Sequence, residues 1–264
     1  MSQPSPVPGV GEPGATPLRL EDGSRVAVVG GGPAGSFFAY FFLEAAARVG
    51  LDAQVDIYEP KNLELAGPAA CNMCGGIISE SLVQVLATEG INLPSTVVQR
   101  GIDAYVLHMD VGSVRIEPPG HDKRIAAVHR GGGPRGVVQS RWKGFDGHLL
   151  RLAEAKGAAV KRERVESIAW EDGKPRLTTK NGPSPLYDLL VGAVGVNGSG
   201  LKLFEGSDKG FIPPQTTKTY ICELLLGSSL IEEHFGNAMH VFLLNLPRLE
   251  FAALIPKGEY VTLV

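Results

Sequence analysis

The chain has 264 residues, with 25 basic and 28 acidic side chains and a formal net charge of −3. A chain of this length buries most of the apolar surface that it exposes when unfolded, so we expect one large domain or two interwoven domains. The near-neutral charge argues against the basic surface of a nucleic-acid-binding protein. Three cysteines exclude a secreted disulfide framework, which favours a reducing, cytoplasmic setting.

The first segment, residues 1–24, is rich in proline and glycine and poor in large apolar side chains. Such a composition buries too little surface to order itself, so we predict a disordered leader. The apolar stretch 26–47 is interrupted by Gly30–Pro33 after four residues. This interruption favours a strand, a tight turn and a helix over a membrane-spanning helix.

A strand–turn–helix–strand pattern follows the leader. A β-branched run at 25–29 leads into a glycine-rich turn, then into a helix at 36–49 and a second strand at 53–58. Glu59 ends the second strand, at about the spacing from the glycines at which an acidic residue accepts hydrogen bonds from a ribose. Its charge would repel a 2′-phosphate, which favours FAD or NAD over NADP.

The glycine-rich turn itself, GGGPAG, matches the dinucleotide pattern G-x-G-x-x-G. In that pattern the first glycine permits the tight turn, the second lets the backbone approach a pyrophosphate, and the third lets the helix pack closely on the strand. The start of the helix adds free N–H groups and partial positive charge. The predicted cofactor-binding residues of this turn are Gly30, Gly32, Pro33, Ala34 and Gly35.

A second match to the same pattern occurs at 131–136. The residues after it, Val137 to Gln139, are typical of extended chain, and no acid-capped strand follows. The context therefore supports the first match as a nucleotide site and rejects the second.

The remainder of the chain is β-rich at 96–117 and 215–264, unlike the regular alternation of an NAD domain. The segments CNMCGGI, HRGGGPRG, RWKGFDGHLL and DLLVGAVG follow the GGGPAG turn and Glu59 in this order. In this combination the chain resembles the FAD-dependent oxidoreductases of the geranylgeranyl reductase family, which have the p-hydroxybenzoate hydroxylase fold. The resemblance spans roughly residues 25–264.

This resemblance implies an α/β fold (α+β overall), in which a Rossmann-like FAD-binding domain is interwoven with a β-sheet substrate domain. We predict the FAD-binding domain at 25–95 with 130–210, and the substrate domain at 96–129 with 211–264. The related chains continue further and carry a late Gly-Asp segment that contacts FAD, which is not found here. The resemblance therefore predicts a C-terminally truncated chain and an incomplete substrate domain.

The resemblance also assigns residues to the cofactor. The first glycines and Glu59 would bind the pyrophosphate and the ribose, Arg141 would reach the phosphate and ribose region, and Gly192 and Gly195 would lie where the FAD domain closes. The family usually has Asp where this chain has Val194. Near the C-terminus Ala253 replaces a tryptophan of the family, so a geranylgeranyl substrate is not carried over.

The segment CNMCGGI precedes a predicted helix at 79–89, and a cysteine near a helix start has a depressed pKa. Four interpretations stay open: a loop beside the flavin in which Cys74, Gly75 and Gly76 approach the cofactor, a redox-active disulfide of Cys71 and Cys74, a metal site, and two inert residues. Cys222 is the third and last thiol of the chain, which excludes a four-cysteine metal site within it. The flavin contact is the preferred interpretation, and no metal is predicted.

These observations predict an FAD-dependent oxidoreductase that reduces a C=C bond of a hydrophobic, isoprenoid-like substrate. The alternatives are a flavin-dependent monooxygenase on the same fold, a disulfide oxidoreductase using Cys71 and Cys74, and a non-catalytic FAD-binding subunit. NAD(P)H as the electron donor, peripheral membrane contact and a second chain that completes the site stay open, and no nucleic-acid partner is expected. Other catalytic residues are not identified; His108, His121 and His129 are interpreted as structural or solvated.

Overall fold

The computed structural model describes residues 19–72, 74–136, 143–205 and 211–264, and this part of the chain contains four α-helices and sixteen strands. The helices are α1 (Pro33–Arg48), α2 (Glu80–Thr88), α3 (Phe145–Ala155) and α4 (Ser228–His234). The strands of the first half are β1 (Ser24–Val29), β2 (Ala53–Tyr58), β3 (Ile77–Ile78), β4 (Val98–Ile102), β5 (Ala104–Met109), β6 (Gly112–Ile116) and β7 (Ile125–Val128). The strands of the second half are β8 (Ala159–Lys161), β9 (Val165–Glu171), β10 (Lys174–Thr179), β11 (Gly182–Leu186), β12 (Leu189–Gly192), β13 (Cys222–Leu225), β14 (Ala238–Leu243), β15 (Ala252–Pro256) and β16 (Tyr260–Leu263).

A four-stranded parallel sheet in the order β12-β1-β2-β8 forms the centre of the Rossmann-like part of the chain. Successive side chains of β1 point to opposite faces. Val26 and Val28 pack with residues of α1 and α3, whereas Ala27 and Val29 pack against the antiparallel sheet β11-β10-β9. Both faces of the parallel sheet are therefore covered, which explains why its strands are almost entirely apolar.

A second region is built from antiparallel pairs and one parallel pair. The short sheet β3-β7-β4 packs with α2 and α3, and a six-stranded sheet in the order β13-β16-β15-β14-β5-β6 lies beyond it. Ala127 of β7 shares one buried cluster with Ile102, Ala253 and Ile255. The two sheets are thus joined by a common apolar core.

The predicted α/β class with a Rossmann-like core is confirmed. The second strand occupies the predicted residues, α1 ends just before Gly50 at φ +70°, and the side chain of Ser79 caps α2 by accepting a hydrogen bond from the Leu82 amide. The turn between β9 and β10 lies at Asp172 and Gly173, both with positive φ, as their sequence predicts.

Three local features differ from what the sequence predicts. The spacing of Leu82, Val85 and Leu86 predicts one shared buried face of α2, but Val85 is exposed, because only the Leu86 side of this helix meets the core. The apolar pattern at 158–165 predicts one strand, but this segment is divided between β8 and the start of β9, because β8 pairs with β2 whereas β9 pairs with β10. The pattern at 217–226 predicts a longer strand than β13, which is limited to the residues that pair with β16.

The predicted division into two interwoven domains stays a prediction. Most of the predicted leader, residues 1–18, lies outside the described residues. Within the described ranges, no helix combines the length and the apolar character that crossing a membrane requires.

Candidate functional site

The turn between β1 and α1 depends on backbone contacts that glycine alone permits. Gly30 has φ +109°, and a Cβ atom there would lie 2.3 Å from the Ala193 carbonyl oxygen. A Cβ atom on Gly35 would lie 1.9 Å from the Gly30 carbonyl oxygen. These glycines therefore make the turn and bring α1 close to β1, the two tasks that the pattern requires of them.

Gly32 has a different environment. Its φ of −67° and ψ of −174° are extended values that any residue adopts, and the nearest heavy atom to an added Cβ is Nη2 of Arg130 at 4.0 Å. Gly32 is also the N-cap of α1, and no side chain caps this helix. Because the first N–H groups of a helix have no intrahelical acceptor, open space and free donors meet at Gly32. Pro33 occupies the first position of α1, where the missing N–H group of proline removes no intrahelical hydrogen bond.

Glu59 lies directly beside this turn and is 7% exposed. One carboxylate oxygen accepts a hydrogen bond from the Gly31 amide at 2.9 Å, and the other accepts one from the Lys61 amide at 2.8 Å. These two bonds fix the orientation of the side chain. Each carboxylate oxygen has a further lone pair, so the group can still accept hydrogen bonds from a ligand.

Arg130 brings a positive charge to the same place, and it was not among the residues predicted from the sequence. Its guanidinium donates to both oxygens of Asp146 at 3.0 and 2.7 Å, and the Asp146 side chain is only 2% exposed. Burial, opposed by Arg130, raises the pKa of Asp146. The bidentate pair holds the guanidinium near Gly32. The signal in the sequence is a basic residue just after a buried strand, followed by three glycines.

The residues around Gly32 fit a dinucleotide such as FAD. A pyrophosphate needs close backbone approach, N–H donors and positive charge, and the open side of Gly32, the uncapped start of α1 and Arg130 provide these three features. A ribose needs an acceptor near the end of the second strand, where Glu59 lies. The predicted contact of Arg141 with the cofactor stays a prediction, since this residue lies outside the described residues.

The turn after β12 contacts the glycine-rich turn after β1. The residue after β12, Ala193, donates its amide to the Val29 carbonyl at 2.8 Å, and its own carbonyl lies against Gly30. A Cβ atom at Gly192 would lie 2.8 Å from the Phe204 ring. Gly195 has φ +70° and open space around it. Gly192 is therefore needed for packing, and a role of either glycine in binding FAD stays a prediction.

Cys71 and Cys74 are both free thiols and both partly exposed. Burial raises the pKa of Cys71, so the depressed pKa expected for a cysteine near a helix start was wrong. The physical reason is distance along the chain, because α2 begins only at Glu80. The Cys74 sulfur accepts a weak hydrogen bond from the Gly76 amide at 3.4 Å. Met73 lies outside the described residues.

Gly75 and Gly76 lie against protein on one side. A Cβ atom at Gly76 would lie 2.0 Å from the Val128 carbonyl oxygen, and one at Gly75 would lie 3.0 Å from Cδ1 of Ile255. The small size of these residues therefore lets the segment pack between β7 and the six-stranded sheet. Their predicted approach to the flavin, like that of Cys74, stays a prediction.

A cavity of about 490 Å³ lies next to this segment. One wall comes from the chain around Gly67–Asn72, a second from residues 134–136, and a third from β13 and β16. Its lining is mainly apolar, with Glu223 and Arg135 as the charged residues. A volume of this size accommodates a small organic molecule. The sequence analysis did not identify Glu223, because an acidic residue within a strand carries no motif.

His129, His108 and His240 are not among the residues that line this cavity. His129 is buried, and burial, aided by Lys257, lowers its pKa to about 3, so the ring is neutral near pH 7. His108 Nε2 and His240 Nδ1 are 3.0 Å apart on the neighbouring strands β5 and β14. Among the described residues, no group of three or more His, Cys, Asp or Glu side chains is arranged to hold a metal ion.

Comparison with protein-family models finds no match, and no curated protein matches the sequence. Solved structures do match. The tetrameric form of 2-methyl-3-hydroxypyridine-5-carboxylic acid oxygenase aligns with a TM-score of 0.59 and 22% identity, over 91% of this chain and 58% of that chain. FqzB aligns with a TM-score of 0.58 and 16% identity, over 93% of this chain and 53% of that chain. CtdE in complex with FAD aligns with a TM-score of 0.56 and 12% identity, over 91% and 58%.

At these identities the matches establish the fold, which this chain shares with an oxygenase and with a protein that binds FAD. The chain spans a little more than half the length of the structures that it matches. The matches do not identify the geranylgeranyl reductase family that the sequence resembles.

Proposed function

We propose that this protein is an FAD-dependent oxidoreductase and that its reaction is a monooxygenation. The observation that carries the proposal is the uncapped start of α1, open at Gly32 and flanked by Glu59 and Arg130. The likeness to the oxygenase and to the FAD complex supports the cofactor and favours oxygenation over the C=C reduction expected from the sequence.

Each residue of the site has a physical task in this proposal. The first-turn amides of α1 and the Arg130 guanidinium neutralise the pyrophosphate, and Glu59, already oriented by the Gly31 amide, accepts the ribose hydroxyls. The chemistry that bound FAD would supply is the acceptance of a hydride from NAD(P)H, followed by a reaction with O₂ that delivers one oxygen atom to the substrate and the other to water. The cavity lined by Asn72, Glu223 and Tyr260 orients the substrate.

C=C reduction is the second candidate. The segment Cys71–Ile77 favours it, because its sequence resembles the reductases. A disulfide oxidoreductase is disfavoured, because burial raises the pKa of Cys71 and so lowers the fraction of reactive thiolate. We expect the double variant Cys71→Ser/Cys74→Ser to retain FAD and to oxidise NAD(P)H within about twofold of the wild-type rate; a loss of tenfold or more would restore the disulfide mechanism.

The first experiment is the visible absorption spectrum of the purified protein, followed by heat release and chromatography of the pigment. Released FAD supports the cofactor assignment, whereas a protein that is colourless and does not bind added FAD contradicts it. With FAD bound, oxygen uptake and NAD(P)H oxidation are measured together. Oxygen-dependent NAD(P)H oxidation that increases with an aromatic substrate supports monooxygenation. Anaerobic reoxidation of the reduced flavin by an alkene supports C=C reduction instead.

A further inference from the structure

One face of the six-stranded sheet is turned towards the cavity and the Cys71–Gly76 segment. The strand pairing places Glu223 opposite Thr262, and Thr262 opposite Ile255 on the next strand. Since side chains two residues apart share a face, Lys257 lies on the same face as Ile255. Cδ1 of Ile255 contacts Gly75, which shows that this face points inwards.

Lys257 is an unusual residue on this face. Its side chain is 1% exposed, and its Nζ atom has no hydrogen-bond partner among the described residues. The nearest opposite charge is Glu223, whose Oε1 atom lies 3.7 Å from Nζ. Burial, opposed by Glu223, lowers the pKa of Lys257. A buried ammonium is costly, so its position next to Glu223 requires an explanation.

Glu223 connects this buried cation with the cavity. Glu223 lines the cavity, and its two carboxylate oxygens accept the Thr262 hydroxyl at 2.9 and 2.8 Å. Thr262 is fully buried and Glu223 is 14% exposed. The Thr262 hydroxyl and the Lys257 charge therefore hold the carboxylate, and each oxygen keeps a lone pair that can accept a hydrogen bond from a ligand.

The rest of the wall sets the size and polarity of the ligand. Ile221 and Leu225 share the Glu223 face of the edge strand, Tyr260 lies beside Leu225 in the pairing register, and Pro68 and Pro134 line the opposite wall. These side chains are largely apolar, Arg135 is the second charged residue of the lining, and a cavity of this kind accommodates a compact molecule. Asn72 also lines the cavity, but its amide is fully used by backbone partners.

We propose that the cavity binds a small, largely apolar ring compound that carries a neutral hydrogen-bond donor, a hydroxyl or ring N–H, and that Glu223 accepts this donor. Lys257 acts as a positioning residue that holds the carboxylate in place through its charge. Because the Lys257 ammonium already balances the Glu223 charge, the cavity gains little from a cationic ligand. This inference rests on the proposed function only in regarding the ligand as the substrate.

The test uses three probes with the purified full chain, with its flavin where flavin is bound, and isothermal titration calorimetry. The probes are 2-naphthol, 2-methoxynaphthalene, which lacks the donor, and the cation 1-naphthylmethylammonium. We expect 2-naphthol to bind about tenfold or more tightly than its methyl ether, the difference that a hydrogen bond to a charged acceptor supplies. We expect it also to bind more tightly than the cation.

Two variants locate the effect. The double variant Glu223→Leu/Lys257→Met replaces the ion pair by apolar groups, which proteins often tolerate, and it should abolish the preference for the hydroxyl. In Lys257→Met the carboxylate loses its counter-charge, so the cationic probe should gain affinity over 2-naphthol. Glu166→Leu, at an exposed position of β9, should behave as wild type. Circular dichroism of each variant checks folding.

The outcomes are distinct from those of the cofactor test, since binding of the probes needs no turnover. The proposal would be overturned if 2-naphthol did not bind, or if it bound no more tightly than its methyl ether. It would also be overturned if the double variant kept the preference for 2-naphthol, or if the wild-type protein preferred the cation. A colourless protein that still shows the expected probe preferences would contradict the FAD assignment and leave the ligand site intact.

Discussion

Two segments of this chain match the same glycine pattern, one at Gly30–Gly35 and the other at Gly131–Gly136, and the structure uses them in opposite ways. The first joins a parallel strand to an uncapped helix and leaves Gly32 open. In the second, a Cβ atom at Gly132 would lie 2.3 Å from the Glu64 carbonyl oxygen. The first segment has room for a ligand, whereas the second is filled by its own protein.

The difference is clearest in the partners of the N–H groups. In the second segment Asn72 Oδ1 accepts the amides of Gly131 and Gly133, both at 3.1 Å, and the Leu65 carbonyl accepts that of Gly132 at 3.0 Å. In the first, the helix-start amides have no intrahelical acceptor. A glycine pattern therefore indicates a phosphate site only where its backbone N–H groups have no acceptor within the protein.

The largest expected effect is on stability, from Gly35→Ala. The added Cβ would overlap the Gly30 carbonyl oxygen, so α1 must move away from β1. We expect a loss of about 4 kcal/mol or more in the free energy of unfolding, measured by urea denaturation. The matched variant Gly32→Ala should lose less than about 1 kcal/mol, because it has extended backbone angles and free space. Equal losses at both positions would contradict the difference between these two glycines.

The second effect, from Asn72→Ala, concerns the other segment. The change removes two donated and two accepted hydrogen bonds and leaves buried backbone groups unpaired. We expect a loss of about 3 kcal/mol in the free energy of unfolding. The control Asn62→Ala, which removes one exposed hydrogen bond to Glu64, should lose less than about 1 kcal/mol. Unchanged stability of Asn72→Ala would show that the second segment does not depend on this side chain.

The third effect is on cofactor affinity. Because the pyrophosphate is proposed to lie against Gly32, the added methyl group of Gly32→Ala should weaken FAD binding about 100-fold, or about 2.7 kcal/mol. A fluorescence titration with FAD measures the dissociation constant. An unchanged constant in this folded variant would exclude Gly32 from the phosphate site.

The smallest effect is a pH dependence at the base of the second segment. The pKa of His129 is about 3 when folded and near 6.5 when unfolded, so the unfolded chain binds the proton more readily between these values. The free energy of unfolding therefore keeps the full contribution of neutral His129 above about pH 6.5, and it falls by roughly 1.4 kcal/mol per pH unit below that pH. Urea denaturation at pH 7, 6 and 5 should show this slope relative to His129→Leu, which cannot titrate. Parallel curves for the two proteins would refute a neutral His129.

Local sequence patterns predicted the Rossmann-like part of the fold well, and for a physical reason. The turn at Gly30, the helix that follows, the second strand and Glu59 are adjacent in the chain, so their geometry follows from residue type and spacing. Ser79 as a helix cap is predictable on the same grounds.

The parts that escaped prediction depend on contacts between distant residues. Arg130 gains its position from Asp146, and the Glu223–Lys257 pair exists only because β13, β16 and β15 are neighbours in the sheet. The pKa of Cys71 is raised by burial, which a sequence-based rule about helix starts does not include. These features are set by tertiary packing.

The parallel pairing of β5 with β14 has a consequence for how the protein is made. The register joins Ala104 to Ala238 and Met109 to Leu243, so more than 100 residues are synthesised between the two partners. Until β14 is synthesised, the hairpin of β5 and β6 has an unpaired β5 edge in addition to the β6 edge, which stays at the margin of the sheet. Unpaired strand edges are where chains associate wrongly. We therefore expect the six-stranded sheet to close late during synthesis, and the yield of soluble protein to depend on how well this edge is protected in the meantime.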